Sequence, residues 1–255
     1  MTDTPPPVRR LRERSAEAIQ RGLRRLGYEL HPYEPGPAPY EDDVRRARLL
    51  RSEGIDLVLD VGANAGQFAR RLRAAGFNER IVSFEPLSEA FAELSRQAQG
   101  DPAWETRRLA LSDRDGDAEI HVAGNSWSSS LLEMGARHLA SAPESAYVGE
   151  ETVPTARLDA LWDELVPEGA RPFLKLDVQG FEMNVLLGAE ASLGRLRGLQ
   201  LELALTEGLY EGDRLWWEVV DHLAKRSFVL AGVEPGFEDP ASGRMLQFDG
   251  LFLRA

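Results

Sequence analysis

Two acids and two glycines mark the first chemistry this chain can do. Asp60 interrupts the aliphatic run Val58-Leu59-Asp60-Val61, Gly62 and Gly66 follow four positions apart, and Glu85 closes a second apolar run, Ile81-Val82-Ser83-Phe84. Glycine reaches backbone angles closed to other residues and lets a ligand lie against the main chain, while a helix opening at such a loop offers unpaired N–H groups. A phosphate is the wrong guest. No Gly-Lys-Ser/Thr ending is present, residue 64 is Asn where the dinucleotide fingerprint has its middle Gly, and Asp60 would repel a pyrophosphate. A cationic ligand suits Asp60 better, and an acid at the end of the second strand is placed for ribose hydroxyls. S-adenosylmethionine, which carries a sulfonium, an ammonium and a ribose, meets both demands. An NAD-dependent oxidoreductase is the weaker alternative because of Asn64, and a non-catalytic cofactor-binding or regulatory protein on the same fold fits Asp60 and Glu85 equally.

The second constellation is Phe173-Leu174-Lys175-Leu176-Asp177-Val178-Gln179-Gly180-Phe181-Glu182. Strand side chains alternate, so Lys175 and Asp177 share one face and Leu174 and Leu176 the other. Two charges set into an apolar strand need partners. Lys175 and Lys225 are the chain's two lysines, which singles Lys175 out further. Glu202 repeats the pattern inside Leu199-Gln200-Leu201-Glu202-Leu203. Asp177, Glu202 and Lys175 thus form a candidate catalytic cluster: a carboxylate to take a proton from a hydroxyl, with a cation that keeps it ionised. The carboxylates can alternatively be read as hard ligands for a magnesium ion. That reading is the less favoured one, and no dedicated metal residues are assigned, since His121, His138 and His222 lack the close spacing of a metal site.

The elements that must position these groups alternate. Strands are expected at Leu57–Val61, Ile81–Phe84 and Thr106–Leu111, with helices over 66–75 and 88–98 between them, which predicts an α/β fold with a parallel sheet. Asp113, in Ala110-Leu111-Ser112-Asp113, then falls at a strand's carboxyl end, where a carboxylate can accept an adenine amino group; a plain turn residue reads the same way. Residues 124–151 break the rhythm with Asn125-Ser126-Trp127-Ser128-Ser129-Ser130, and a short helix holding His138 follows. An insertion over the strand ends is where specificity is carried, so Trp127, Ser129 and His138 are candidate acceptor contacts. Strands at Thr152–Arg157 and Phe228–Val233, helices at Leu158–Leu165 and Leu215–Arg226, and a closing segment at Arg244–Arg254 with an antiparallel hairpin complete the reading.

The 255 residues divide into an N-terminal helical extension with a Pro-rich linker, 1–50, and one domain, 51–255. Arg-rich Val8 to Leu26 has helical spacing and suits a self-contact or a homo-oligomer contact better than a membrane surface, because Glu13 and Glu17 dilute its charge. Residues 42–51 form a second helix, a candidate lid. A net charge of −12 argues against nucleic acid as a partner, the absence of cysteine excludes disulfides, and no apolar run suggests stable membrane insertion, so the protein is expected to be cytoplasmic.

Leu59-Asp60-Val61-Gly62-Ala63-Asn64-Ala65-Gly66, Phe84-Glu85-Pro86, Ala110-Leu111-Ser112-Asp113 and Leu174-Lys175-Leu176-Asp177-Val178-Gln179-Gly180-Phe181-Glu182 together resemble the FkbM-type S-adenosylmethionine-dependent methyltransferases, over about residues 55 to 253. The resemblance implies a Rossmann-like class I methyltransferase fold, with a seven-stranded, mostly parallel sheet whose last strand is antiparallel. It also implies O-methylation of a hydroxyl on a sugar or natural product. Carried over position by position, it sets Asp60, Gly62, Asn64 and Gly66 near the methionine moiety, Glu85 on the ribose, and Ser112 with Asp113 near adenine, with Pro86 also among the cofactor-binding residues.

Overall fold

A computed structural model describes residues 41–255. The basic helix expected over Val8 to Leu26, its oligomer contact and the Pro-rich linker lie outside the described residues. Seven strands build the main sheet: β1 (Leu57–Val61), β2 (Arg80–Phe84), β3 (Trp104–Arg107), β7 (Pro172–Leu176), β8 (Gly198–Ala204), β9 (Phe228–Pro235) and β12 (Gln247–Arg254). Their order is β3-β2-β1-β7-β8-β12-β9. All pairings are parallel except those of β12, which runs antiparallel to both β8 and β9. The expected seven-stranded sheet and antiparallel last strand are therefore present. Strand order reverses between β1 and β7, and the crevice beyond the carboxyl ends of those two strands is where open α/β sheets take their ligands.

Both faces of the sheet are covered, which is why β1 and β7 are apolar runs buried along their whole length. On one face Leu57, Leu59, Val61, Leu174 and Leu176 pack under α5 (Leu158–Leu165), α6 (Glu182–Gly188) and α7 (Trp216–Ala224). On the other, Val58, Ile81 and Phe173 meet α1 (Glu41–Ser52), α2 (Gln67–Ala74) and α3 (Ser88–Ala98). The helix read as a lid, α1, has Ala47 and Leu50 fully buried in this layer and so forms a fixed wall. In α2 the sheet-facing residues are Ala69 and Leu72, whereas Phe68 lies against the crevice.

The expectation of one strand from Thr106 to Leu111 is corrected. The chain leaves the main sheet after Arg107, and β4 (Ala110–Leu111) pairs instead with β6 (Tyr147–Ala156), which also pairs with β5 (Gly116–Ala123) in a separate three-stranded sheet, while β10 (Glu238–Asp239) and β11 (Arg244–Met245) pair with each other. This small sheet buries Leu87, Ala110, Ile120 and Val153 together, so its apolar residues close over the second-strand loop. The insertion is the connection between β5 and β6. It contains α4 (Ala136–Ser141) with His138, and it is shorter than expected because β6 begins at Tyr147; the exposed Val148, Gly149 and Glu150 carry no apolar alternation that would mark a strand.

Candidate active site

A cavity of about 460 Å³ opens at the switch point, within the range of about 300–1,000 Å³ usual for small-molecule sites. One part is lined by Gly62, Asn64, Glu85, Pro86, Leu109 and Leu111, and another by Lys175, Asp177, Gln179, Glu202, Gln247 and Asp249. The two constellations read from the sequence therefore face one space.

Glu85 is buried at the carboxyl end of β2, and its two oxygens accept main-chain N–H groups from Asn64 (2.8 Å) and Leu87 (2.9 Å). Burial pushes its carboxyl up to about 7 in spite of these two bonds. Asn64 sits in the left-handed region at φ 47°, which Asn tolerates well. Its side chain binds the main-chain oxygen of Ser126 at 3.3 Å and so ties the glycine loop to the insertion. A central glycine could not make that tie. Gly62 lines the cavity with its backbone, and a Cβ there would lie 1.8 Å from the carbonyl oxygen of Asp177. Its missing side chain thus admits the β7 loop as well as a ligand.

Asp60 needs a correction of place. It is fully buried and not among the cavity-lining residues, because Lys175 lies between. Its Oδ2 accepts the Ser83 hydroxyl at 2.9 Å, and Ser83 in turn accepts the Trp104 indole N–H at 3.0 Å. Oδ1 meets Lys175 Nζ at 3.4 Å as an ion pair. Burial raises its pKa, an effect that Lys175 and Ser83 oppose. Gly66 does not line the cavity either; at φ 84° it opens α2, and the Trp104 ring fills the space where its side chain would be. Ser112 and Asp113, unlike Ala110 and Leu111 just before them, are not among the cavity-lining residues. Asp113 accepts from the Ser112 hydroxyl at 3.1 Å and from Asn184 at 3.4 Å, a seam against α6.

Lys175 joins both constellations. Its Nζ lies 3.3 Å from Asp177 Oδ2, 3.4 Å from Asp60 and 3.3 Å from the Gly62 carbonyl oxygen to which it donates. Burial works against its charge, but Asp177, Asp60 and Asp249 outweigh it and hold the ammonium above its ordinary value. Gln179 Nε2 donates to Asp177 Oδ1 (2.8 Å) and to Glu202 Oε2 (3.1 Å), and Gln247 donates to the same Glu202 oxygen at 2.9 Å. Glu202 is raised well above the usual carboxylate range by burial, with Asp177, Asp249 and Glu182 adding to it. Burial and Asp177 bring Asp249 up to about 6. Arg46 of α1, itself buried, donates to Gln200 Oε1 at 2.7 Å and to Asp43, pairs with Glu234, and Gln200 donates onward to Asp249 at 3.2 Å.

In the insertion, Trp127 stands at the cavity mouth with 62% of its surface exposed. Ser129 lines the cavity, but its hydroxyl is bonded within the loop, accepting from the Ala123 N–H and donating to the Ser126 carbonyl. His138 is buried against the rings of Tyr210 and Phe237, and burial keeps its pKa below the ordinary value, so it stays neutral at physiological pH. The sequence reading missed Gln179, Arg46, Tyr210, Gln247 and Asp249 as site residues. Asp249 had a signal, a charge in the apolar segment Phe248–Leu253. Arg46 and Tyr210 had none, since only tertiary packing brings them here.

Among the described residues no helix is long and apolar enough to cross a membrane. The sequence model of the Methyltransferase FkbM domain matches residues 60–230. The chain is 28% identical over 185 residues to 2-O-methyltransferase NoeI of Sinorhizobium fredii, an alignment covering 70% of this chain and 74% of that protein. It is 28% identical over 167 residues to hexuronic acid methyltransferase AglP of Haloferax volcanii, covering 64% and 62%. A solved structure of a candidate methyltransferase from Thermobifida fusca has the same fold, with a TM-score of 0.50 at 13% identity, across 86% of this chain and 84% of that one. The family match extends over well more than half of the sequence, from the acid that ends the first glycine-loop strand to the strand at the sheet's edge, and the chain belongs to the FkbM family of methyltransferases.

Proposed function

We propose that this methyltransferase moves a methyl group from S-adenosylmethionine to a hydroxyl of a small, sugar-like acceptor, with Asp177 as the proton acceptor. The observation that carries the reading is the cluster at the ends of β7 and β8. Asp177 is held by Lys175 on one oxygen and Gln179 on the other, and it faces the same cavity as Glu85. The relatives named for 2-O-methylation and for a hexuronic acid acceptor support an oxygen on a sugar-like molecule. Membership in a methyltransferase family sets aside the nicotinamide-dependent oxidation and the non-catalytic role.

The residues present fit the cofactor. Glu85 offers a buried carboxylate at the ribose position, Leu109 and Leu111 supply apolar wall for a base, and the acidic lining favours a cationic methionine moiety. S-adenosylmethionine supplies an electrophilic methyl group on a positively charged sulfur. The protein's own task is to hold the acceptor hydroxyl in line and remove its proton as the new bond forms. Lys175, 3.3 Å from Asp177 Oδ2, orients that carboxylate for the task. Trp127 and His138 are read as acceptor contacts, one a flat face at the mouth and the other a neutral hydrogen-bonding ring. Ser129 shapes the loop that carries them.

We read the reaction as metal-free. Asp177 and Glu202 are already joined by amide and ammonium donors, and among the described residues no group of three or more His, Asp or Glu side chains is arranged to share an ion. Turnover is expected to survive exhaustive chelation; its loss, with recovery on adding magnesium, would return the two carboxylates to a metal. Asp177→Asn is expected to lower kcat by roughly 10²–10⁴-fold while S-adenosylhomocysteine affinity stays within a few-fold. Transfer of radiolabelled methyl to a panel of hydroxylated sugars is the assay, and a variant with full activity would remove Asp177 from this role.

A further inference from the structure

Gln179 reaches Asp177 and Glu202 at once, and an amide can do this in one orientation only. Its nitrogen donates to both carboxylates, so its oxygen must face away from them, and there it accepts the Tyr210 hydroxyl at 2.7 Å. The same hydroxyl lies 3.3 Å from the Ser128 carbonyl oxygen. Tyr210 is one of the largest fully buried side chains, and burial first, then Glu202, pushes its ionisation up, so it remains a donor throughout the working pH range. The rest of the loop is fixed to match. Gln179 is held at φ 55°, its carbonyl accepts the Ser130 hydroxyl at 2.7 Å, and a Cβ on Gly180 would fall 2.9 Å from the Tyr210 ring.

We propose that Tyr210 is a positioning residue for methyl transfer: by donating to Gln179 it steadies that amide, and the amide in turn holds Asp177 beside Glu202 in one proton-accepting arrangement. This inference rests on the reading of Asp177 as the proton acceptor. Without the phenol O–H, the Gln179 amide is held through its nitrogen alone and loses the bond that fixes its oxygen. A displaced or flipped amide would take its N–H away from Asp177 and, when flipped, set its oxygen against that carboxylate. Asp177 would then lose the N–H on its Oδ1, and a hydrogen bond of that kind favours the charged form of a carboxylate. The charged and titratable groups facing the pair are Lys175 and Asp60 from β7 and β1, Asp249 from β12, Glu182 from α6 and Tyr210 itself. Lys175 stays on the other Asp177 oxygen in either amide orientation.

Tyr210→Phe keeps the ring and its packing and removes only the hydroxyl. In the full chain it is expected to lower kcat by roughly tenfold to a hundredfold, move the acidic limb of the kcat–pH profile to higher pH, and leave S-adenosylhomocysteine affinity, measured by calorimetry, within about threefold. Gln179→Glu is the second variant. It can still accept from Tyr210 but places a third carboxylate beside Asp177 and Glu202, so it should move the limb further in the same direction. An unshifted limb with wild-type kcat in Tyr210→Phe overturns the proposal, as does parallel loss of cofactor affinity, which would make the residue merely structural. If Tyr210→Phe does not fold, an unshifted limb in Gln179→Glu overturns it equally. Wild-type protein that binds S-adenosylhomocysteine but methylates no hydroxyl would remove the functional reading and this inference together; an active wild type with unaltered variants removes the inference alone.

Discussion

Glu85 combines a buried carboxyl raised to about 7 with a place in the cavity lining, and if it takes the ribose as proposed, ligand binding is tied to a proton. Ribose hydroxyls donate to a carboxylate and favour its charged form, so a Glu85 that binds them must release its proton when the ligand enters near or below pH 7. S-adenosylhomocysteine should therefore bind more tightly at pH 8 than at pH 6, and its calorimetric enthalpy should vary with the ionisation enthalpy of the buffer. Glu85→Gln should weaken binding and abolish the buffer dependence. A wild-type enthalpy that is the same in every buffer would place the ribose elsewhere. At this scale the sequence was informative where a charge interrupted an apolar run, as at Asp60, Glu85, Lys175, Asp177 and Glu202. It was silent on Tyr210, whose neighbours Thr206 to Gly212 read as an ordinary loop and whose partner lies 31 residues away.

At the scale of elements, the central crossing is between the loops after β1 and β7. Gly62 holds φ 74° with the Asp177 carbonyl in the space a side chain would need. Gly62→Ala is expected to destabilise the fold by on the order of 3 kcal/mol or more, read as a lower urea midpoint. A fully stable, fully active Gly62→Ala protein would mean that the two loops can part without cost. The alternation of strand and helix and the helix after the glycine loop were legible from periodicity, while the antiparallel last strand was implied by the resemblance to the FkbM methyltransferases. The division between β3 and β4 was not, since Trp104 to Leu111 is one run of extended residues and only its change of partner, from β2 to β6, divides it. Just past β4, Asp113 bonds Asn184 of α6, a contact that no periodicity announces.

For the whole molecule, the buried carboxyls predict how stability varies with pH. Glu85 and Glu182 are both raised from 4.5 to about 7, burial being the main cause in each, and Asp249 is raised from 3.8 to about 6. An acid raised by folding keeps its proton in the native state after the unfolded chain has lost it. Its stabilising contribution is complete below the unfolded value and is lost as pH rises through the folded one. For Glu182 that amounts to on the order of 3 kcal/mol between about pH 4.5 and 7. Carboxylates shifted the other way, such as Asp115 held low by the Arg157 main-chain N–H and guanidinium, act only below this window. The ligand-free protein should thus have a higher urea midpoint at pH 5.5 than at pH 8. Glu182→Gln, which still can bond the Val178 region of the loop, should flatten that slope. A midpoint that rises steadily to pH 8 would show these carboxyls to be better solvated than their burial implies.

Five polar residues stand in register across the strands: Thr106, Ser83, Asp60, Lys175 and Gln200 on β3, β2, β1, β7 and β8. The apolar residues around them, Val58, Ile81 and Phe173, carry no directional bonds that would tie one strand's register to the next. The polar row is not interchangeable. A slip of one residue between β1 and β7 would set Lys175 beside Leu59 or Val61 and leave the Asp60 charge facing hydrocarbon, an error of several kcal/mol. The row that supplies the active site with its lysine is therefore also an alignment mark, which lets the sheet assemble in one register only and rejects the near misses that a purely apolar core would accept.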